Sequence, residues 1–205
     1  YVLTVSQTSA GAGTVTTVNP GAILTGGTYV IDSQLNGAEI RLRSAFASGT
    51  YTFLNGAVLD GSDNMSFQAQ GNVLFKGSGD SVVTFGAGNG TNNMSNIGAG
   101  TALTIDGPTV NMGFGVTGTG NTAINNGGGA GTGASLVIAS GTMNAANTVG
   151  MILGTNFNQT GDTLGSGTIT IGNGVLNILS GGLTMKTNGA TTGSAGGTAV
   201  VNINA

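Results

Sequence analysis

The chain has 205 residues, of which glycine supplies 41, and glycine, threonine, asparagine and serine together make up more than half of it. Only 5% of residues are charged and the formal net charge is −3, against about 25% charged residues in an ordinary domain, so this is not the composition of an average globular enzyme, and nucleic acid is not an expected partner. One Glu, two Lys, two Arg and five Gln are too few to build a helical bundle, while a mean hydropathy of +0.25 with so little charge is the reverse of a disordered chain.

In chain order the first predicted element is a strand at Val2-Leu-Thr-Val5. Three segments follow that recur every 22 residues: Gly27-Thr-Tyr-Val-Ile31, Gly49-Thr-Tyr-Thr-Phe53 and Gly71-Asn-Val-Leu-Phe75. Their large apolar residues sit two apart, which is strand periodicity, and Gly and Asn clusters between them mark turns. The expected columns are Tyr29/Tyr51/Val73 and Ile31/Phe53/Phe75. From residue 100 onward the repeat lengthens. Leu103 to Asn111, Leu136 to Asn144 and Ile169 to Asn177 lie 33 residues apart, and Val201-Asn-Ile-Asn-Ala205 begins another copy. Four columns keep their chemistry: Leu103/Leu136/Ile169, Ile105/Ile138/Ile171, Val110/Met143/Leu176 and Asn111/Asn144/Asn177.

Repeats of strands, not helices, with like residues in register describe a solenoid, since each coil lies over the last at the ~4.8 Å strand spacing. The expected fold is all-β, a right-handed parallel β-helix (β-solenoid). It forms one domain over residues 1–205, with 22-residue coils over 27–92 and 33-residue repeats over 100–205. That length predicts about seven or eight coils and a rod on the order of 35–40 Å. Ile31, Phe53 and Phe75 are expected to stack inside it, as are the Leu103 and Ile105 columns. The asparagine column is expected at a turn, with amide bonded to amide one coil away. Both ends read as cut through a coil, so the piece is expected to belong to a longer processed rod with further coils or caps.

Segments of the type Gly-x-Leu/Ile-Thr-Ile-x-x-Gly-x-Leu-x-Ile, best seen from Gly167 to Ile178, resemble the passenger-associated transport repeats of bacterial autotransporters, the type V secreted surface proteins. The resemblance covers residues 100 to 205, and residues 1 to 99 in composition and rhythm. It implies a right-handed β-helical passenger, displayed outside a Gram-negative cell and tethered to the outer membrane through a part of the chain not present here. It also implies the adhesin type, a factor in virulence or biofilm formation that attaches to host matrix protein or surface glycan or to another copy of itself. The resemblance carries no catalytic residue to any position of this sequence.

Candidate sites are few. Zero His and zero Cys remove the usual base, nucleophile pair and metal ligands, so no enzyme, cofactor or metal site is expected. No apolar run reaches the ~18–20 residues of a membrane helix, so direct insertion of this segment is not expected. Glu39-Ile-Arg41-Leu-Arg43 is the main charge cluster; alternation would turn Arg41 and Arg43 outward, either as a solvated face or as a contact for sulfate or carboxylate groups of a ligand. Tyr29 and Tyr51 read as core, with sugar stacking as the alternative. Asp60-Gly-Ser-Asp63-Asn64 and Gly77-Ser-Gly-Asp80-Ser-Val read as turns, with carboxylate catalysis or cation binding as the rival. Ser78 to Asn96 and Thr117 to Gly133 are expected to be loop tips available for contact. Two rival functions are a stalk that binds nothing and a β-helical polysaccharide lyase or hydrolase, which would need its charges gathered in one groove.

Overall fold

In the computed structural model of the chain, the structure describes residues 2–6, 23–26, 28–32, 42–61, 65–86, 94–97, 100–113, 121–124, 133–146, 151–153, 166–185 and 199–204. Among them there is no helix, and every strand pairing is parallel. The alternation of apolar and small polar residues that marks strands in the sequence becomes alternation of burial. Along β9 (Ala102–Met112), Leu103, Ile105, Val110 and Met112 are buried and the residues between Leu103 and Ile105 or Val110 and Met112 are not.

The strands fall into three parallel stacks. The first holds β2 (Ile23–Thr25), the second halves of β4 (Leu42–Leu54) and β6 (Met65–Gly77), the first halves of β9 and β11 (Gly133–Ala145), then β13 (Ser166–Ile171) and β16 (Ala199–Ile203). The second holds β1 (Val2–Ser6), β3 (Thr28–Asp32), β5 (Val58–Gly61), β7 (Val82–Phe85), the second halves of β9 and β11, and β14 (Val175–Ile178). The third holds the first halves of β4 and β6, then β8 (Met94–Ile97), β10 (Asn121–Ile124), β12 (Met151–Leu153) and β15 (Leu183–Met185). From β2 onward the chain visits first, second and third stack in the same cycle. Seven strands in a stack at ~4.8 Å apart give about 29 Å, shorter than the sequence suggested because most steps between partners exceed 22 residues.

The long strands turn from one stack to the next without leaving the ladder. In β9 and β11 alternation breaks at Gly107 and Gly141, whose φ angles are 111° and 82°. A methyl group at Gly107 would overlap the Gly77 carbonyl one coil away. Glycine is required there both by φ and by the closeness of the backbones.

Inward residues from all three stacks meet in one apolar interior. Phe75 of the first stack, Phe85 of the second and Phe67 of the third converge, with ring centroids 5.8 Å apart for Phe67 and Phe75, 5.1 Å for Phe67 and Phe85, and 6.1 Å for Phe75 and Phe85. Tyr51 and Phe53 meet the same Phe75 edge-on at 6.1 and 5.6 Å. Toward the other end the filling is aliphatic, and Leu136 pairs with Leu103 on one side and Ile169 on the other, all three fully buried. Ile138 likewise sits between Ile105 and Ile171. The 33-residue columns read from the sequence are the ladder's own.

The 22-residue columns are not. Tyr51 pairs with Phe75 and Gly49 with Val73, the same step of 24 that separates Ser48 from Asn72. Tyr29 belongs to the second stack and pairs with Leu59, and Ile31 pairs with Val5. The ladder of β4 and β6 shifts register between Ala47 and Gly49, where β6 carries one extra residue. A two-residue offset keeps every side chain on its own face, so the inward pattern fits either alignment and the sequence alone cannot choose.

Candidate functional site

Strand alternation leaves the second stack with an outward column: Asp60 pairs with Thr84, Thr84 with Asn111, Asn111 with Asn144, and Asn144 with Asn177. Their neighbours Leu59, Val83, Val110 and Met143 are buried, which fixes the column on the opposite face of the sheet. Asn111 Nδ2 donates to Thr84 Oγ1 at 3.2 Å, Asn144 Nδ2 to Asn111 Oδ1 at 2.8 Å, and Asn177 Nδ2 to Asn144 Oδ1 at 2.8 Å. The asparagine ladder expected from the sequence is present, but within the strands, one residue before each strand's end, and not at a turn. Strand placement follows from the register: Asn between two inward residues must point outward, and the parallel pairing sets the next Asn directly over it.

Asn111 and Asn144 each use one N–H and one lone pair along the column and keep one of each for another partner. From Thr84 to Asn177 the column therefore presents neutral donors and acceptors at strand spacing. Beside it runs a second outward column of Val58, Val82, Thr109, Thr142 and Val175. This surface can hydrogen-bond and make methyl contacts. It holds no acid–base pair.

A second polar cluster lies at the corner between the first and second stacks. Leu54-Asn55-Gly56-Ala57 is a tight turn closed by Ala57 N–H to the Leu54 carbonyl at 3.1 Å, with φ of 54° at Asn55 and 69° at Gly56, the signature of a type I′ turn. Asn55 Nδ2 reaches up to Thr25 Oγ1 at 3.0 Å, and Asn55 N–H reaches down to Ser78 Oγ at 3.1 Å. Ser78 Oγ is 3.0 Å from the buried Ser81 Oγ. Ser81 N–H closes the next turn onto the Ser78 carbonyl at 3.0 Å. The Ser78 hydroxyl holds the Asp80 carboxyl below its usual range against the opposing effect of desolvation, with lesser help from the Gly56 and Asp80 backbone amides. One proton per hydroxyl then orders the cluster, with Ser81 donating to Ser78 and Ser78 to Asp80. Gly77 to Val82 is thus a turn, as the sequence suggested, and its carboxylate is engaged by the protein itself. Lower on the first stack Ser140 Oγ donates to Asp106 Oδ1 at 2.7 Å.

The other sequence candidates fall as follows. Arg41 and Glu39 lie outside the described residues; Arg43 is in β4, paired with Ser66 in the third stack. Tyr51 is buried in the aromatic cluster, which removes it from any sugar-stacking role, and Tyr29 stands in the ladder beside Leu59. Asp60 is in a strand and not in a turn, while Ser62, Asp63 and Asn64 lie outside the described residues. The span from Ser78 to Asn96 contains β7 and the start of β8, and that from Thr117 to Gly133 contains β10, so neither is simply a loop tip. No group of three metal-ligating side chains occurs among the described residues.

No family model, curated protein or solved structure matches this chain. Geometry and the sequence are therefore what a functional reading rests on. Sequence reasoning found the three asparagines through their 33-residue spacing, and missed Thr84 and Asp60 at the head of the column because the intervening steps are shorter and unequal. It also missed the Asn55 corner, although Asn55-Gly56 is the dipeptide such a turn favours.

Proposed function

We propose that the chain is a right-handed parallel β-helix serving as the passenger of a surface-displayed adhesin of the autotransporter type, and that it binds through its outward faces. The winding is supported by the fixed cycle in which the chain visits three parallel stacks, and the hand by the strong preference of parallel crossovers. Binding as the role is supported above all by the outward Thr84 to Asn177 column, a continuous neutral hydrogen-bonding surface beside a methyl-bearing one. Such a surface suits the hydroxyls and amides of a matrix protein or glycan. An enzyme would leave its carboxylates available to a substrate, whereas among the described residues Asp80 and Asp106 are each engaged by a serine hydroxyl. A plain spacer would keep one coil length, whereas partners stand 24, 30 and 33 residues apart in different coils.

The test is binding of the purified chain to immobilised matrix proteins and to neutral and sulfated glycans, with an unrelated β-solenoid as control. Signal above the control on at least one class is expected. Equal signal on all of them sinks the reading. If sulfated glycans bind, Arg41→Ala with Arg43→Ala separates the two surfaces: a loss of salt-sensitive affinity assigns the contact to the arginines, and unchanged affinity assigns it to the neutral columns.

A further inference from the structure

The corner between the first and second stacks carries a reaction that its own hydrogen bonds oppose. Asn55 is followed by Gly56, and an asparagine so placed can react with its own backbone. The Gly56 nitrogen attacks the Asn55 Cγ, the side-chain nitrogen leaves as ammonia, and the five-membered succinimide that forms is opened by water to aspartate or isoaspartate. Nothing beyond water is consumed. Glycine favours the attack because no Cβ crowds the nitrogen. Asn55 is exposed, so water and hydroxide reach it.

The folded corner resists each step. Ala57 N–H to the Leu54 carbonyl at 3.1 Å fixes the turn at φ of 54° for Asn55 and 69° for Gly56, and bringing Cγ onto the Gly56 nitrogen rotates that peptide out of the turn. The leaving nitrogen, Nδ2, is donated to Thr25 Oγ1 of the preceding coil at 3.0 Å. The attacking nitrogen is held from the other side. Gly56 N–H is donated to the Asp80 carboxylate of the following coil, and a methyl group on Gly56 would stand 3.6 Å from Asp80 Oδ2. Ser78 Oγ ties the two together, accepting the Asn55 N–H at 3.1 Å and donating to Asp80. To attack, the Gly56 nitrogen must give up its proton, and a negative charge beside it disfavours the amide anion.

We propose that Asn55 is a site of spontaneous deamidation through a succinimide, and that the Asp80 carboxylate on the Gly56 amide is the group that holds the reaction off. Asp80 acts through Gly56 and is a positioning residue. The product takes from Thr25 the N–H it accepts and adds a second negative charge to the corner. Isoaspartate also routes the backbone through the former side chain, which lengthens the two-residue turn joining β4 to β5. Neither product reverts to asparagine, so the change accumulates with the age of the chain. It is independent of ligand binding on the outward columns.

Mass spectrometry of the folded 205-residue chain, held at mildly alkaline pH and sampled over days, tests this by reading the exchange of NH2 for OH at Asn55; electron-transfer fragmentation separates isoaspartate from aspartate. A neighbouring charge moves an ionisation by about one unit or more, so Asp80→Ala should convert at Asn55 about tenfold faster than the wild type. Asn144→Ala, which loosens the fold away from this corner, should leave the rate at Asn55 unchanged. The wild-type chain unfolded in urea should convert faster than the folded one, a comparison that needs no variant to fold. An Asp80→Ala rate equal to or below that of the wild type overturns the proposal. So does an equal acceleration by Asn144→Ala, or a folded wild type that converts as fast as the unfolded chain.

Discussion

Asn144 is the middle rung of the ladder, and its replacement by alanine tests whether the column contributes to stability. The side chain donates to Asn111 and accepts from Asn177, both at 2.8 Å. Two bonds at about 0.5–1.5 kcal/mol each put the loss at about 1–3 kcal/mol. All three side chains are only partly buried, so water can reach the groups left behind and the larger penalty for a sealed, unsatisfied amide does not apply. Asn177→Ala removes one bond and should cost about half as much. Thr142→Ala removes an outward neighbour in the same strand that takes no part in the ladder, and controls for the loss of β propensity. Unfolding in urea, followed by circular dichroism, gives the three differences, and hydrogen exchange at β9, β11 and β14 locates them. The reasoning fails if Asn144→Ala costs no more than Thr142→Ala, or no more than Asn177→Ala.

Three further outcomes are expected. Gly107→Ala should lower stability by about 2–5 kcal/mol, combining strain at a φ of 111° with overlap on the Gly77 carbonyl; thermal melts will measure it, and a loss under about 1 kcal/mol would show that the corner yields easily. Phe75→Ala removes the ring that touches Tyr51, Phe53, Phe67 and Phe85, and should cost about 3–5 kcal/mol and expose the cluster to a hydrophobic dye. Asp80 has a lowered folded-state value, so its ionised form favours the folded chain; that contribution is present above the unfolded value of 3.8 and disappears as pH falls through the folded value. Asp80→Asn should therefore flatten stability against pH in that acid window and leave the slope near neutrality unchanged, which unfolding curves across pH will show.

How far each feature was legible depends on what the sequence encodes locally. Scarcity of Glu, Lys, Arg and Gln and apolar residues two apart were enough to settle strands over helices, because side-chain period and helix propensity are local properties. The 33-residue repeat also set the Leu103, Leu136 and Ile169 column and the asparagine column, since equal coil lengths make sequence spacing and spatial stacking the same thing. Where coils are unequal that identity fails. Tyr51 sits beside Phe75 and not Val73 because the coil there spans 24 residues and not 22, and two-residue offsets are invisible to inward–outward alternation. Only the folded ladder decided that Thr84 and Asp60 extend the asparagine column, and that three aromatic rings from three stacks share one level of the core. Those facts depend on pairings between residues far apart in the chain, and no local pattern carries them.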